Sequence, residues 1–402
     1  MRVTYLAHDL DDPSVWRRVE MLRRGGATVA VAGFRRSEGA LPEAAVVLGR
    51  TANGRMVQRV RAVIAALPRI ARLVPETSAA TGDGQAAGPE VLLARNLEML
   101  ALGAALVRRR GGRLVYELLD IHGMMLGQGI AKRALRRVEA GLLAATRLIV
   151  ISSPAFDTRY LRGYGQPDVP TLLVENKPFA QPSDGAPRPS RTVPAPGGIE
   201  DGGPLIVGWF GMLRCRWSLL TLDAVTRAEP GRCKVRLRGR PALDVIPDFH
   251  AVVDANPDLE FLGPYDWPGD LPRIYAEVDV AWLFDRYQAG QNSDWLLPNR
   301  LYEGCLNGAV PVVLEGTEVA RRTAAWGCGV TVAAPDPEAV AAALSALDPA
   351  GLARRRAAVA AIPRGALEMD EAECRRLTAA ICGTAVVPLS EAAAPAAPAL
   401  AR

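Results

Sequence analysis

Residues 293–314, SDWLLPNRLYEGCLNGAVPVVL, combine a predicted helix start with charged side chains. Pro298 and Asn299 predict the first residues of a helix that is followed by a buried strand. The free N–H groups and the positive dipole end of such a helix suit a phosphate, and Arg300 in the first turn adds a full charge. Glu303, one turn further on, can accept hydrogen bonds from both hydroxyls of a ribose. An ordinary amphipathic helix with its apolar residues packed inward is the alternative.

Histidine and carboxylate side chains follow two predicted strands in the first half of the chain. Asp120 and His122, in YELLDIHG, come directly after the strand predicted over residues 114–118. His122 can donate to a phosphate oxygen, and Asp120 can act as a general base. His8 and Asp9 follow the first predicted strand, and Asp9 is a second candidate base. A lone histidine in a loop is more often a surface or capping residue, so the structural alternative stays open.

Two further features indicate binding without deciding it. Arg95 and Asn96 end another predicted strand, where ligand binding and plain helix capping are equally expected. Over residues 55–73, apolar residues alternate with five arginines, namely Arg55, Arg59, Arg61, Arg69 and Arg72. Such a helix can lie on an anionic membrane surface, or it can pack on a sheet with a solvated arginine face.

These residues need a scaffold that brings several strand ends to one edge. Apolar runs of four to eight residues alternate with helical patterns, which indicates βαβ units around parallel sheets. The predicted strands are residues 3–7, 28–32, 45–48, 91–94, 114–118, 148–152, 172–175, 205–209, 234–238, 259–262, 278–284, 310–314 and 330–333. The fold class is therefore α/β, with two Rossmann-like doubly wound parallel-sheet domains that face a cleft. Ligands of such sheets bind outside the carboxyl ends of the strands.

The division of the chain follows its composition. Residues 180–203 are rich in Pro, Gly, Ser and Ala and predict a linker or long surface loop between a first domain, 1–179, and a second domain, 204–350. Residues 351–383 predict helices that can pack back on the first domain, and residues 384–402 predict a disordered Ala/Pro tail.

Composition and charge exclude several classes of protein. A hydrophobic content of 49% is ample for sizeable cores, and a net charge of +5, spread along the chain, argues against a dedicated nucleic-acid binder. The six cysteines and three histidines lack zinc spacing and form no C-x-x-C pair. Acidic residues by position nine and the absence of an apolar run of about 18 residues predict a cytoplasmic protein without a membrane span.

The stretch PNRLYEGCLNGAVPVV resembles the P-N-K-x-x-E-x-x-x-x-G-x-P-V-V segment of GT-B-fold glycosyltransferases of the family-four type. The N-terminal MRVTYLAHDLDDP, with LLARNLEMLAL, VYELLDIHG and FGMLRCRWSLLTL, is similar to the branch that builds succinoglycan-like exopolysaccharides. The likeness covers about residues 1–383, with the linker as a gap. It implies that Glu303 holds the nucleotide ribose and that Arg300 stands where many members have Lys.

The resemblance implies an enzyme that moves a sugar from a nucleotide-diphosphate donor, most simply a UDP-sugar, to a glycan or polyprenyl-linked acceptor. It places the acceptor in the first domain and the donor in the second, and it implies peripheral contact with the inner face of the cytoplasmic membrane. The donor-binding candidates are Gly211, Arg214, Arg216, Arg238, Asn299, Arg300 and Glu303. The acceptor-side candidates are His8, Arg95 and Asn96, and the catalytic candidates are His122, Asp120 and Asp9. No cofactor, metal or nucleic acid is expected.

Two positions depart from the family pattern. The second Glu of retaining members, eight positions before the ribose-binding one, is replaced here by Trp295, which leaves retention or inversion open. The Lys of G-R-L-x-x-x-K-G is replaced by Trp217, so Arg214 or Arg216 must supply charge at the diphosphate. Fixed cations stabilise the negative charge that grows on the leaving phosphate. We expect metal-independent catalysis.

Two other functions share this architecture. A non-hydrolysing sugar-nucleotide epimerase breaks the same bond but uses several carboxylates and histidines, and three histidines in the whole chain argue against it. A non-catalytic scaffold that binds a sugar nucleotide within a polysaccharide assembly complex is supported by Trp217 and Trp295.

Overall fold

The computed structural model describes residues 1–51, 56–74, 90–180 and 195–384, which form two compact α/β units. Unit one is Met1–Glu175 together with the segment that begins at Asp370, and unit two is Asn176–Met369. Residues 181–194 of the predicted linker and residues 385–402 of the predicted tail lie outside the described residues, as does Arg55.

Unit one is built on a parallel sheet of seven strands in the order β3-β2-β1-β4-β5-β6-β7. The strands are β1 (Arg2–Ala7), β2 (Thr28–Arg35), β3 (Val46–Arg50), β4 (Val91–Arg95), β5 (Arg113–Leu118), β6 (Thr146–Ile151) and β7 (Thr171–Leu173). Each strand overlaps a predicted one, because a strand covered on both faces is a nearly continuous apolar run. The doubly wound α/β fold is confirmed for this unit.

Helices cover both faces of this sheet. They are α1 (Pro13–Arg24), α2 (Met56–Ala66), α3 (Ile70–Leu73), α4 (Asn96–Arg110), α5 (Ile130–Leu143) and α15 (Glu371–Cys382), with a 3-10 helix at Gly123–Met125 and a π-helix at Phe156–Leu161. Right-handed crossovers place α1 on one face and α2 to α5 on the other. The C-terminal α15 packs against α1, where a Cβ on Gly25 would lie 2.0 Å from Thr378 Oγ1.

Unit two repeats the architecture with six parallel strands in the order β10-β9-β8-β11-β12-β13. The strands are β8 (Leu205–Leu213), β9 (Cys233–Pro241), β10 (Leu259–Phe261), β11 (Val280–Trp282), β12 (Val310–Leu314) and β13 (Val330–Val332). The helices are α6 (Arg216–Ala228), α7 (Phe249–Asp254), α8 (Leu271–Ala276), α9 (Asn292–Trp295), α10 (Asn299–Leu306), α11 (Glu318–Ala325), α12 (Pro337–Ser345), α13 (Pro349–Ala361) and α14 (Arg364–Leu367).

A buried ion pair between Asp279 and Arg356 connects the sheet of unit two to its C-terminal helix α13. Asp279, fully buried just before β11, accepts a hydrogen bond of 2.7 Å from Arg356 of α13 and one of 2.9 Å from the Ile206 backbone N–H. Ala195 and Ile199 are buried in the same core, and a 3-10 helix follows at Ile199–Asp201. Residues 195–203, assigned from composition to the linker, therefore carry core contacts of unit two.

Replacing Arg356 by Ala leaves the Asp279 carboxylate buried without its guanidinium. We expect Arg356→Ala to lower the free energy of unfolding by about 3–5 kcal/mol, as for other buried pairs that lose one partner. Urea unfolding followed by circular dichroism measures this loss. The control Arg354→Ala, an exposed position on the same helix, should stay within about 0.5 kcal/mol of the parent chain. Equal losses in the two variants would contradict a special role for the pair.

Candidate functional site

Two arginines meet one carboxylate in unit two. Arg214 follows β8, and its Nη2 lies 2.9 Å from Oδ2 of Asp285, which follows β11. Arg300, in the first turn of α10, donates to the backbone carbonyl of Phe284 at 3.1 Å, directly beside Asp285. The strands β8 and β11 are neighbours in the sheet, so their carboxyl ends bring these groups together. The structure thereby unites Arg214 and Arg300, which lie 86 positions apart in the chain.

The electrostatics of this cluster favour an anion. Burial raises the pKa of Asp285, but the charges of Arg214 and then Arg300 outweigh burial and lower it below its ordinary value. Asp285 is therefore ionised, and it forms an ion pair with Arg214 while Arg300 lies close enough to lower its pKa. The N-terminus of α10, at Asn299, adds its free N–H groups and the positive end of the helix dipole.

The carboxylate of Glu303 lies one turn into α10. Glu303 is only 4% exposed, and its Oε1 accepts a hydrogen bond of 2.8 Å from the indole Nε1 of Trp267. Trp267 follows β10 and is 38% exposed. The indole N–H thus orients a carboxylate that the sequence analysis assigned to a ribose. Trp267 itself was not predicted.

Glycines let two strands of unit two approach each other closely near this cluster. Gly211 of β8 pairs with Gly239 of β9, and both have positive φ angles, of 103° and 129°. A Cβ on Gly239 would lie only 1.9 Å from the Gly211 carbonyl oxygen, so no larger residue fits. The hydroxyl of Tyr265 lies 4.0 Å from the Cβ position of Gly211, which places the 261–265 segment beside this strand end.

Two other donor-binding candidates contact different carboxylates. Arg216, at the start of α6, forms an exposed ion pair of 2.6 Å with Asp248. Arg238 lies within β9, and its Nη2 is 2.8 Å from Glu277 Oε2. Neither contact involves Asp285. Of the two arginines offered as substitutes for the missing Lys, Arg214 is the one whose carboxylate partner also lies close to Arg300.

Trp217 and Trp295, which depart from the family pattern, pack within unit two. Trp217 stacks on Trp282 and Phe284, with ring centroids 6.3 and 5.7 Å apart. Trp295 is buried at the end of α9, and the neighbouring Asp294 accepts a hydrogen bond of 2.8 Å from the Gly290 backbone N–H. Each ring therefore has a structural reason to occupy its position.

A buried charge network lies under the strand ends of unit one. Glu117 of β5 is fully buried and accepts hydrogen bonds from Tyr5, Arg18 and Arg95. Burial would raise its pKa, but the charges of Arg95 and Arg18 and these hydrogen bonds lower the pKa to about 2. Arg95 also donates to Ser14 Oγ at 2.8 Å. The Arg95 guanidinium is therefore held inside the unit by several partners.

His8 and Asn96 lie at the same level of adjacent strands. β1 pairs with β4 through Leu6 and Ala94, two residues before each of them. His8 Nδ1 and Asn96 Oδ1 are both buried and have no hydrogen-bond partner within the described part of the chain. Burial and then the charge of Arg95 lower the pKa of His8 to about 3, so its imidazole is neutral.

The backbone at Asn96 supports a ligand role for this pair. Its φ of 67° is the only positive value at a non-glycine residue among those described. Sparsely populated backbone angles of this kind cluster at ligand sites. Asn96 starts α4 directly after β4, so the strained residue stands at a strand-to-helix turn.

The three catalytic candidates differ in their surroundings. Asp9 is buried, burial raises its pKa, and it forms an ion pair of 3.2 Å with Arg36. Asp120 is exposed, while His122 precedes the 3-10 helix and accepts a hydrogen bond at Nδ1 from the Met124 N–H. His122 therefore has the capping role that was the structural alternative. β4 separates β1 from β5, so Asp9 does not share a strand end with the other two.

The described residues hold neither a metal-binding cluster nor a membrane-spanning helix. No group of three or more His, Cys, Asp or Glu side chains in the described ranges could hold a metal ion. None of the helices in those ranges is both long and apolar enough to cross a membrane.

The amino-acid sequence is similar to that of a known protein. No protein-family model matches the chain. The succinoglycan biosynthesis protein ExoL of Rhizobium meliloti (strain 1021) is 40% identical over 383 residues, which cover 94% of this chain and 92% of ExoL.

Solved structures agree on the fold. HepE of Anabaena, in complex with UDP and glucose, has a TM-score of 0.65 at 15% identity and covers 96% of this chain and 100% of its own. Sucrose-phosphate synthase of Thermosynechococcus elongatus has a TM-score of 0.68 at 15% identity, with coverages of 94% and 97%. WaaG, a glycosyltransferase involved in lipopolysaccharide biosynthesis, has a TM-score of 0.60 at 15% identity, with coverages of 95% and 100%. These likenesses confirm the predicted GT-B fold.

The buried carboxylate of Glu117 makes unit one sensitive to acid. Its pKa of about 2 lies below the ordinary value of 4.5, so its contribution to stability is complete above pH 4.5 and is lost as the pH falls towards 2. We expect Glu117→Gln to be less stable than the parent at pH 7 by about 3 kcal/mol, with a difference that shrinks towards pH 2. Urea unfolding at several pH values measures this. Glu20→Gln, at a partly exposed side chain, should follow the parent. A constant deficit in Glu117→Gln would contradict the assignment.

Proposed function

The chain belongs to the family of the succinoglycan biosynthesis protein ExoL, and we propose that it is a glycosyltransferase of exopolysaccharide biosynthesis. It moves a sugar from a nucleotide-diphosphate donor onto a glycan acceptor. The observation that carries the proposal is the cluster of Arg214, Arg300 and the α10 N-terminus around Asp285, one turn from Glu303. A fold shared with glycosyltransferases is consistent with it.

The proposed donor site works by holding charge in place. When the sugar leaves, negative charge grows on the β-phosphate, and preorganised donors lower the barrier because they need no rearrangement during the reaction. Arg214 and Arg300 supply two fixed cations, and Asp285 holds the Arg214 guanidinium in position. The helix end supplies further N–H donors without carrying a countercharge.

The nucleotide is proposed to enter with its ribose on Glu303. Carboxylate oxygens accept hydrogen bonds from ribose hydroxyls, and the indole N–H of Trp267 orients one of these oxygens. Trp267 is thus a positioning residue that acts through Glu303. A UDP-sugar is the proposed donor, in line with the UDP and UDP-glucose held by the HepE structures.

The acceptor is proposed to bind at the strand ends of unit one. His8 and Asn96 offer a neutral imidazole nitrogen and an amide oxygen, both of which can accept hydrogen bonds from sugar hydroxyls. Asp9 is the proposed general base, because burial raises its pKa and so strengthens it as a proton acceptor. Asp120 and His122 remain the competing candidates. The proposed acceptor is polyprenyl-linked and is met at the cytoplasmic face of the membrane.

No observation favours the two alternative functions. The scaffold hypothesis depended on Trp217 and Trp295, and the packing of both rings explains their presence without any loss of activity. The epimerase hypothesis needs several histidines and carboxylates around the donor sugar. His250, the one histidine of unit two, forms edge contacts with Phe249 and Phe261 instead.

Donor binding tests the Glu303 assignment. A UDP-sugar present at about 100 times its Kd should add roughly 2.7 kcal/mol to the stability of the parent chain, seen as a rise in Tm. We expect Glu303→Gln to lose most of that rise, and Trp267→Phe, which keeps a ring but removes the N–H donor, to lose part of it. Exposed Glu260→Gln should respond like the parent. If the UDP-sugar raises the Tm of Glu303→Gln as much as that of the parent, the ribose does not bind to this carboxylate.

Turnover tests Arg300 and the reaction class together. With the responding donor and no acceptor, we expect slow release of free sugar and UDP; an epimerised donor, or binding without turnover, would support one of the alternatives. Arg300→Ala should lower the rate by about 10²–10³-fold, because a donor to the developing charge is lost. Exposed Arg227→Ala controls for the general loss of positive charge. An unchanged rate in Arg300→Ala would show that the diphosphate does not bind beside Arg300.

A further inference from the structure

One guanidinium group beside the proposed donor site is not paired with a carboxylate. Arg286 directly follows Asp285, and its side chain is partly exposed. Within the described part of the chain, no carboxylate forms an ion pair with Arg286. Arg214, by contrast, is paired with Asp285, and Arg216 is paired with Asp248. The charge of Arg286 is therefore available to an anion.

The Arg286 guanidinium lies over the face of an indole ring. Its Cζ is 5.4 Å from the centroid of the Trp217 ring, which is the distance of a cation–π contact. Trp217 also stacks on Trp282 and Phe284, at interplanar angles of 18° and 17°, so its ring is held in a fixed orientation. Trp217 stands where the family pattern has a Lys, and although its own side chain is uncharged, a cation lies on its ring.

The backbone of Arg286 is tied to the start of α6. Cys215 is buried directly before this helix, and its Sγ accepts hydrogen bonds from the Ser218 N–H at 3.4 Å and from the Arg286 N–H at 3.2 Å. Asp285 accepts a hydrogen bond of 2.9 Å from the Tyr287 N–H, which fixes the turn around Arg286. The Arg286 side chain therefore starts from a held position beside the first turn of α6.

An anion would stabilise the placement of this cation. The N-terminus of α6, at Arg216, carries the positive end of the helix dipole, and the first turn contains no acidic residue. Trp217, over which the Arg286 guanidinium lies, belongs to that turn. Two positive features at one place repel each other, and an anion bound beside both offsets the repulsion. A phosphate group has the charge and the acceptor oxygens for this position.

We propose that Arg286 binds the diphosphate of the sugar-nucleotide donor and that Trp217 positions its guanidinium. Arg286 is then the third arginine of the donor site, next to Asp285, which holds Arg214. A planar guanidinium can hold two phosphate oxygens at once, and a cation at the β-phosphate stabilises the charge that grows when the sugar leaves. Trp217 acts through Arg286 and does not itself contact the donor.

This inference rests on the proposed function, since it adds a residue to the proposed donor site. UDP binding to the parent chain tests that site, and the dependence of UDP binding on Arg286 tests the inference. A parent chain that does not bind UDP would overturn both. A parent chain that binds UDP, together with an Arg286 variant that binds it equally well, would overturn the inference alone.

Titration calorimetry of the full chain with UDP and with uridine tests Arg286. We expect Arg286→Gln to bind UDP about tenfold to a hundredfold more weakly, because a charged donor to the phosphates is lost. Uridine, which has no phosphate, should bind to Arg286→Gln as it does to the parent. Arg286→Lys, which keeps the charge but loses the planar fork, should bind UDP with intermediate affinity. Arg227→Gln, at another arginine of unit two, should bind UDP like the parent.

A double-mutant cycle tests Trp217 as the positioning residue. Trp217→Leu should weaken UDP binding in the parent chain and weaken it less in an Arg286→Gln background, because the ring acts through the guanidinium. Trp217→Lys combined with Arg286→Gln should bind UDP more tightly than Arg286→Gln alone, because a cation returns to position 217. The Tm of each variant without ligand shows that it is folded.

Two further outcomes would overturn the assignments. Equal losses of UDP and uridine binding in Arg286→Gln would show that the side chain supports the site without contacting the diphosphate. Fully additive effects of Trp217→Leu and Arg286→Gln on UDP binding would show that the indole does not act through Arg286.

Discussion

The proposed donor site depends on how positive charge is balanced around Asp285. Two guanidinium groups beside a helix N-terminus repel each other and the helix dipole, and one carboxylate offsets part of that repulsion. Asp285 does so for Arg214, with which it forms an ion pair, and for the nearby Arg300. The three residues follow from neighbouring strands and from α10, so the balance exists only in the doubly wound sheet. The strand order is thus a precondition for the proposed chemistry.

Charge compensation also organises the strand ends of unit one, where a buried carboxylate is paired with two guanidinium groups. There the buried carboxylate of Glu117 takes up the donors of Arg18 and Arg95, so that the interior is compensated. Buried polar atoms without a hydrogen-bond partner among the described residues lie further out, and His8 Nδ1 and Asn96 Oδ1 are two of them. A compensated interior holds the unit rigid, and it supports the two unpartnered acceptors at which we propose that the glycan acceptor binds.

Sequence patterns predicted the fold better than they predicted the side-chain contacts. Apolar runs located the strands because both faces of these sheets are covered, although they ended β8 at Trp209, while the Gly211–Gly239 pair continues it to Leu213. Local rules found α10 and Glu303. They could not find Trp267 or Asp285, whose partners lie 36 and 71 positions away in the chain. Spacing alone also gave no means of telling Arg214 from Arg216.

The residue that departs most from the family pattern is tied to the proposed site through its packing. Trp217 stands where many members have Lys, and its ring stacks on Phe284. The carbonyl of Phe284 accepts the hydrogen bond from Arg300, and the next residue is Asp285. The Trp217 indole thus packs against the residue after β11 that accepts from Arg300 and that precedes Asp285, the partner of Arg214. The residue that replaces the Lys therefore helps to place the two arginines. In the proposed donor site, Arg214 and Arg300 supply positive charge, and the aromatic ring packs beside the residues that hold both guanidinium groups.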